Sequence, residues 1–389
     1  MKKLLLFVVA MVLVLAGALA VNLGNVRRDA HALLSGADAV AYSEPRQLVA
    51  NPPGPPQPKV SPSEAGIDAE SIAIAVDYAS RRNTRALVIG HGGHIVFEKY
   101  WDESSLETSV DLPGFTPVLS ALLLGKAMSD DRRIQLDDPI ADYIPEWKDE
   151  VRGAVTLGEL LAGDGGFAPA TGWPWPGSRA ARYSVRGDLR ATLMEWPRDD
   201  SLRPGVSPPG VSADLLALVL EKHLATPYET QLASGLWTPL GAGNFSMGSD
   251  GHGRVRAGCC LRARLGDWMR VGELLAHDGR FEGNEFTPPG FVKRMLSPTR
   301  AGSAVGYFTR VDGQFAARDV ARLESAGKQR LWLVPSLRLV ILRLGDEPPE
   351  SEGWDEAMIP DSIIRGTRGW QPAGLGEGEK LDLNRYAPH

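Results

Sequence analysis

Cysteine is almost absent from this chain of 389 residues, which contains only Cys259 and Cys260, adjacent to each other. A disulfide framework, the usual support of small secreted domains, is therefore excluded. Neighbouring cysteines could close only a small strained ring, so the sequence favours two buried thiols.

Basic runs and histidine are also scarce. The 42 Lys and Arg residues are outnumbered by 48 Asp and Glu residues, and no basic run is long enough to neutralise a row of phosphates. Nucleic acid is therefore not an expected partner. Of the seven histidines, only His91 and His94 stand close together. No Cys or carboxylate lies at ligand spacing from this pair, so a solvated turn is favoured over zinc. The sequence predicts neither a metal nor a cofactor.

A long apolar run is confined to the N-terminus. Two lysines precede uninterrupted apolar residues over 4–21, and two arginines follow. This length is at the low end for a helix that crosses a bilayer and long for a signal-peptide core. Ala18 and Ala20 also fit a cleavage site. We expect residues 1–28 to be a signal anchor or a signal peptide, which would place the protein at the inner membrane facing the periplasm, or free in the periplasm.

The remaining chain divides by composition into a linker, a body and a tail. Residues 46–63, RQLVANPPGPPQPKVSPS, are dense in proline, which disfavours helix and sheet and predicts a stiff extended spacer. This spacer belongs to a linker over residues 29–64. The folded body is predicted over residues 65–370, and residues 371–389 form a polar tail.

Strand-like and helical patterns alternate within the body in a way that predicts an α+β fold. The runs RALVIGHGGHIVFEKYWD and KQRLWLVPSLRLVILRLGD each indicate a β-hairpin, one near either end. Apolar residues at helical spacing indicate helices between and before them. A sheet assembled from both ends and flanked by helices follows. The predicted helices cover residues 72–78, 118–129, 156–162, 212–224 and 262–277.

Several segments resemble, in order, the serine β-lactamase-like family of class C β-lactamases, penicillin-binding proteins and related esterases. They include LDDPIADYIPEW, VTLGELLAGDGG and RARLGDWMRVGELLAHDGRFEG, and the resemblance covers roughly residues 66–370. It implies an antiparallel sheet of N- and C-terminal strands flanked by helices, a helical lobe, and a groove between them.

The resemblance also implies a site for acyl transfer. In that family a Ser begins the first core helix, a Lys three residues later takes its proton, and a Tyr with a nearby Asn assists from the helical lobe. A spacing of three places Ser and Lys on one helical face, where the amine can activate the hydroxyl.

The residues at those positions cannot perform this chemistry. Counting through the matching segments puts the nucleophile's position at Gly114, the lysine's at Pro117, the tyrosine's at Pro208 and the asparagine's at Gly210. Losing a nucleophile and its base together removes roughly six orders of magnitude of rate. The sequence therefore predicts that the family reaction is lost.

Other hydroxyls offer weak substitutes. Thr116 precedes Pro117 and fits a helix N-cap better than a nucleophile. Ser325 and Lys328 form a literal Ser-x-x-Lys beside Gly327, but they precede a strand, so no helix aligns them. Ser120 and Lys126 are six residues apart and fall out of alignment on a helix.

Aromatic residues add one candidate binding feature. Trp173, Trp175 and Tyr183 fall where a loop would overhang the family's groove, and such rings can line a site for an apolar ligand or a sugar. Packing of the loop onto the body is the favoured alternative.

Together these patterns predict an inactive β-lactamase-related protein that uses its groove for binding or regulation. The expected ligand is a small molecule, a peptide or a glycan. Two alternatives stay open: an active hydrolase of esters, amides or β-lactams that uses non-standard residues such as Ser325, Lys328, Thr116 or Tyr183, and a structural envelope protein with a filled groove.

Overall fold

The structure is a computed structural model, and it describes residues 46–168, 188–202 and 209–372 together with Met11, Tyr183, Gly205 and Ser207. The predicted membrane segment, apart from Met11, and the tail from residue 373 lie outside the described residues. Within the described part, no helix is both long and apolar enough to cross a bilayer.

Two sheets and a set of helices make up this part of the chain. The strands are β1 (Arg46–Val49), β2 (Thr84–His91), β3 (His94–Tyr100), β4 (Ser109–Asp111), β5 (Phe245–Gly248), β6 (Leu261–Arg264), β7 (Arg280–Phe281), β8 (Asn284–Glu285), β9 (Ala321–Ser325), β10 (Gln329–Val334) and β11 (Leu339–Gly345). The helices are α1 (Pro62–Ala65), α2 (Ala69–Ser80), α3 (Pro117–Asp130), α4 (Leu157–Ala162), α5 (Leu189–Met194), α6 (Pro209–Leu224), α7 (Tyr228–Leu232), α8 (Leu265–Ala276), α9 (Phe291–Met295) and α10 (Met358–Arg365).

The main sheet has five strands in the order β3-β2-β11-β10-β9, and each neighbouring pair is antiparallel. The N-terminal hairpin thus pairs with the C-terminal strands, which confirms the predicted α+β fold. Leu87 and Ile89 face α2 and α10, whereas Val88 faces the side of the sheet covered by α8. Because helices cover both faces, the central strands are apolar on both sides.

A helical lobe stands beside the main sheet. In it α6 packs against α3, α4 and α7. A second sheet of four strands, in the order β1-β5-β6-β4, joins this lobe. Nearly every residue in the middle of α3 and α6 is buried, so both helices belong to the core.

Two predicted helices, over residues 72–78 and 212–224, begin three residues earlier than predicted, at Ala69 and Pro209, and one begins three residues later. The predicted helix over residues 262–277 begins only at Leu265, because the preceding residues form β6. Arg262 pairs there with Ser246 and Asp111 on the two neighbouring strands. Sheet pairing across the fold therefore overrides the local helical pattern.

The prediction that residues 46–63 form a stiff extended spacer outside the sheets is wrong at its start. Arg46–Val49 pairs with β5. Asn51 is buried, and its backbone N–H donates to Asn244 Oδ1 at 2.7 Å. Farther along, Lys59 forms a bridge with Ile95 of β3. Proline prevents regular ladders within this segment, but its remaining backbone groups can still pair with the body.

Candidate functional site

The loop that precedes α3 lies directly against the edge strand β9. The Gly114 N–H points to Ser325 Oγ at 3.4 Å, and a Cβ on Gly114 would lie only 1.9 Å from the Glu324 carbonyl oxygen. Ordinary contact begins near 3.4 Å. The backbone of β9 therefore leaves no space for a side chain at residue 114, which is the position that the sequence analysis predicts for the family's nucleophile.

The start of α3 holds no substitute for the missing pair. Pro117 is the buried first residue of the helix, and no lysine occurs between Lys99 and Lys126. Thr116 stands at the N-cap position, but the predicted capping bond is absent, because its backbone is already helical. Its buried hydroxyl instead donates to the Leu112 carbonyl and accepts from Leu261 N–H, both at 3.4 Å.

Ser120 and Lys126 are separated in space as predicted from their spacing. The Ser120 hydroxyl is buried and hydrogen-bonds the Tyr228 hydroxyl at 2.8 Å. The Lys126 ammonium forms an ion pair with Asp130, one turn farther along α3. Neither group reaches the other.

The turn between β9 and β10 lines an open cavity of about 320 Å³ together with Gly114. Gly327 is required there by the backbone, since its φ is +65° and a Cβ would lie 2.8 Å from the Gly345 carbonyl oxygen. Lys328 Nζ lies 3.7 Å from Glu347 Oε1, whereas Ser325 Oγ accepts from Gly114. The literal Ser-x-x-Lys thus has each member engaged with a different partner.

The second motif's position is occupied by close backbone packing. Gly210 lies in the first turn of α6, and its carbonyl oxygen would be 2.2 Å from a Cβ on Gly258. The phenolic oxygen of Tyr183 is next to this contact, 3.3 Å from the place of a Cβ on Gly210. Pro208, Trp173 and Trp175 lie outside the described residues.

Tyr183 does not line a groove, so its prediction as a groove aromatic is wrong. Only 4% of the residue is exposed, its ring meets Trp196 edge-on at 5.0 Å, and its hydroxyl donates to Asp214 Oδ2 at 2.7 Å. The packing alternative holds for this ring, because a tyrosine can be buried when its hydroxyl finds a partner.

The sequence model of the Beta-lactamase family matches residues 73–303. The chain belongs to the β-lactamase family. No curated protein sequence matches it. Similar solved structures include one provisionally assigned as a 6-aminohexanoate-dimer hydrolase from Bacillus anthracis, with a TM-score of 0.66, 17% identity, and coverage of 84% of this chain and 91% of that one.

Two further structures show the same fold. A penicillin-binding protein homologue from Caulobacter crescentus has a TM-score of 0.54 and 14% identity over 77% of this chain and 96% of its own. A family VIII carboxylesterase has a TM-score of 0.56 and 15% identity over 77% of this chain and 98% of its own. This β-lactamase-family member therefore shares its fold with proteins named for different chemistry.

Asp214 of α6 accepts the hydrogen bonds that join Tyr183 and Gly258 to this helix, and the sequence prediction missed it. Its buried carboxylate also accepts from Gly258 N–H at 2.9 Å. Burial raises the pKa of Asp214, and the charge of buried Arg256 opposes that shift. A single acidic residue inside the apolar run VSADLLALVL was the available signal, because a buried charge needs partners.

The prediction of two free thiols is also wrong, because Cys259 and Cys260 form a disulfide. Both residues are buried, with 3% and 0% of their surface exposed. Cys260 adopts a left-handed backbone with φ of +66°. A left-handed residue bends the chain sharply, and this bend accommodates the small ring that the sequence argument disfavoured.

The turn at His91 and His94 contacts a buried carboxyl group, although a Cβ on either of its two glycines would meet no atom within 4 Å. Gly93 N–H donates to Glu273 Oε2 at 3.1 Å. Burial raises the pKa of Glu273 to about 8. His277 Nδ1 lies 3.3 Å from the same oxygen, but its shorter contact, 2.8 Å, is with the Glu273 carbonyl oxygen.

Among the residues that the structure describes, one group of three side chains could jointly approach a cation. Asp188, Asp250 and His252 have ligand atoms within 4.8 Å of one another, and His91 and His94 do not belong to the group. The buried Asp250 carboxylate already accepts from the backbone N–H groups of Leu189 and Arg254 at 2.9 and 2.8 Å. Through these bonds the Asp250 carboxylate holds the backbone of the two segments in place.

Proposed function

We propose that this β-lactamase-family protein has lost the family reaction and that the open cavity beside β9 serves for binding. The observation that carries the proposal is the 1.9 Å approach between the Glu324 carbonyl oxygen and the Cβ position of Gly114. If residue 114 is the nucleophile's position, as the sequence predicts, the edge strand leaves no room for a nucleophilic side chain there, which supports the proposal. Loss of nucleophile and base together costs roughly six orders of magnitude of rate.

The cavity supports binding of a polar ligand. Its volume of about 320 Å³ falls at the small end of ligand sites. Lys328 and Arg330 contribute positive charge, and Glu324 and Glu347 contribute negative charge. A small molecule, or the end of a peptide or glycan, that carries both donors and acceptors would match this lining. Because this cavity is open, it disfavours the alternative of a structural envelope protein with a filled groove.

The alternative of an active hydrolase lacks a free nucleophile among its named candidates. The Thr116 hydroxyl is buried and engaged with backbone groups. Burial raises the pKa of Tyr183 well above its ordinary value, so its hydroxyl keeps its proton and cannot serve as a base. Ser325 has no amine as a hydrogen-bond partner, because Lys328 is drawn to Glu347.

We also propose export to the periplasm, with or without retention of the N-terminal segment as an anchor. The apolar run at residues 4–21 supports it. The Cys259–Cys260 disulfide supports it too, since disulfides persist in oxidising compartments such as the periplasm. Cell fractionation with an N-terminal sequence determination tests both points. A full-length chain in the cytosol would refute export.

The loss of catalysis is tested by intact mass after incubation with benzylpenicillin, a cephalosporin and a fluorophosphonate. We expect no covalent adduct with any of the three reagents. An adduct would show a surviving nucleophile and would overturn the proposal, and peptide mapping would identify it. Ser325→Ala is the variant to examine first in that case.

Binding is tested separately by titration calorimetry with benzylpenicillin and with a D-alanyl-D-alanine peptide. Lys328→Ala should weaken any binding at the cavity, whereas Lys293→Ala on α9 removes an equal charge elsewhere and should not. Equal weakening by both variants would place the bound probe outside the cavity. Binding without an adduct is the combination that the proposal expects.

A further inference from the structure

The disulfide lies in a loop that contacts the starts of both α3 and α6. Residues 256–261, here called the disulfide loop, are the last part of the connection between β5 and β6 and include the first residue of β6. Its hydrogen bonds with β5 run from Arg256 N–H to the Gly248 carbonyl and from Gly248 N–H to the Cys260 carbonyl, at 2.9 and 3.0 Å. The loop is therefore fixed on one side by the small sheet.

The other side of the disulfide loop contacts the start of α6. Gly258 N–H donates to Asp214 Oδ1 at 2.9 Å. A Cβ on Gly258 would lie 2.2 Å from the Gly210 carbonyl oxygen, so the two backbones are in direct contact. A small shift of the loop must therefore move the first turn of α6 or break its hydrogen bond to Asp214.

The end of the disulfide loop contacts the start of α3. Leu261 N–H donates to Thr116 Oγ1 at 3.4 Å, in the residue just before the helix. The loop thus reaches both helix starts at which the family's motifs would stand. One loop conformation determines the placement of both.

The conformation of the loop depends on Cys260. Its φ of +66° lies in the left-handed region, which residues with a Cβ adopt only at a cost. The bond to Cys259 restricts the two residues to conformations that close the ring, and this restriction disappears when the bond is reduced. A reduced Cys260 is then free to return to an ordinary backbone conformation.

We propose that the Cys259–Cys260 disulfide is a redox-sensitive lock that holds the starts of α3 and α6 in place. Reduction by a dithiol releases the disulfide loop, and the starts of α3 and α6 lose their support. Exchange with an oxidised dithiol, the reverse reaction, re-forms the bond, restores this support and returns the two electrons and two protons to that dithiol. The inference does not rest on the proposed loss of catalysis, because the disulfide and its contacts with both helix starts are the same whether or not a nucleophile survives.

The chemistry of the switch is thiol–disulfide exchange. A thiolate of the reductant attacks one sulfur, the protein S–S bond breaks, and a mixed disulfide forms. The second thiolate of the reductant then displaces the remaining protein sulfur. Two electrons and two protons pass to the protein, which holds two thiols, and the reductant leaves as a cyclic disulfide. Because both cysteines are buried, attack requires local opening of the loop.

The test compares oxidised and dithiothreitol-reduced protein by intact mass and by hydrogen exchange. The oxidised protein should show no thiol that reacts with iodoacetamide after unfolding, and reduction should add about 2 Da. Reduction should raise exchange about tenfold or more in peptides covering residues 115–119, 209–214 and 256–261. Peptides from β10 and β11 are the internal control and should not change.

Two double variants separate the lock from simple loss of sulfur. Cys259→Ser/Cys260→Ser should show the raised exchange with or without reductant. Cys259→Ser/Cys260→Gly should show less of it, because glycine adopts positive φ without penalty. If either variant fails to fold, the wild-type comparison decides alone. Free thiols in the oxidised protein, or unchanged exchange over residues 115–119 and 209–214 on reduction, would overturn the proposal.

Discussion

Gly114→Ala is the substitution that most directly tests whether the backbone of β9 excludes a side chain at residue 114. The added Cβ would lie 1.9 Å from the Glu324 carbonyl oxygen, 2.9 Å from its carbon and 3.1 Å from Ser325 Cα. To reach ordinary contact at 3.4 Å, the loop and β9 must separate by about 1.5 Å. All three neighbours are backbone atoms, so no rotamer change relieves the overlap.

Both sides of this contact resist movement. Glu324 is paired with Arg330 in the sheet, and Phe115 next to Gly114 is fully buried with its ring edge-on to Trp268 at 5.5 Å. Overpacking of such a site costs about 2–3 kcal/mol of the free energy of unfolding. For a domain of this size the melting temperature should fall by roughly 5 °C.

Urea denaturation followed by tryptophan fluorescence measures the effect, with Gly235→Ala as the matched control. A Cβ on Gly235 would meet only Leu123 Cδ2, at an ordinary 3.6 Å. That variant should lie within about 1 kcal/mol of the wild type, on the stabilising side, because it restricts the unfolded chain. Equal stability of the two variants would show that space exists at residue 114 and would refute the reasoning.

Three further substitutions test the buried polar groups and a helix start by the same unfolding measurement. Burial raises the pKa of Glu273 to about 8 from 4.5, so the folded protein keeps a proton that the unfolded chain has released. The wild type should therefore lose about 3–5 kcal/mol between pH 4.5 and 8, and Glu273→Gln should lack this loss; parallel pH profiles would contradict it. Tyr183→Phe removes the 2.7 Å bond to Asp214 and should cost about 1–3 kcal/mol, whereas an unchanged midpoint would mean that the carboxyl finds another donor. Thr156→Ala removes a cap that accepts from Glu159 N–H at 3.1 Å and should cost about 1 kcal/mol; a neutral result would show that tertiary packing alone holds α4.

Local patterns were sufficient for the elements that depend on neighbouring residues. The helical spacing over residues 72–78 lies within α2, and the turn at Gly92 and Gly93 joins β2 to β3 as predicted. The segment order also indicated the family, which the match over residues 73–303 confirms. Amphipathic spacing and turn glycines act within a few residues of chain, so they can be recognised without the fold.

Contacts between distant segments account for the predictions that were wrong. The strand Arg46–Val49 forms by pairing with β5, which lies about two hundred residues later in the chain. The proline content of the segment gave no indication of this pairing. Thr116 occupies the N-cap position, but its hydroxyl is engaged by Leu112 and Leu261. Tyr183 is buried because Asp214 provides a partner for its hydroxyl.

The sequence by itself determined the family and which side chains stand at the head of α3, because the identity of a residue needs no coordinates: Gly114 and Pro117 carry neither hydroxyl nor amine. Only the tertiary structure decided what surrounds these residues. The backbone of β9 fills the space into which a side chain at residue 114 would project, and the left-handed Cys260 closes a disulfide that sequence spacing disfavoured. Both outcomes depend on backbone angles and on approaches of a few ångströms between segments far apart in the chain, and side-chain composition does not encode these locally.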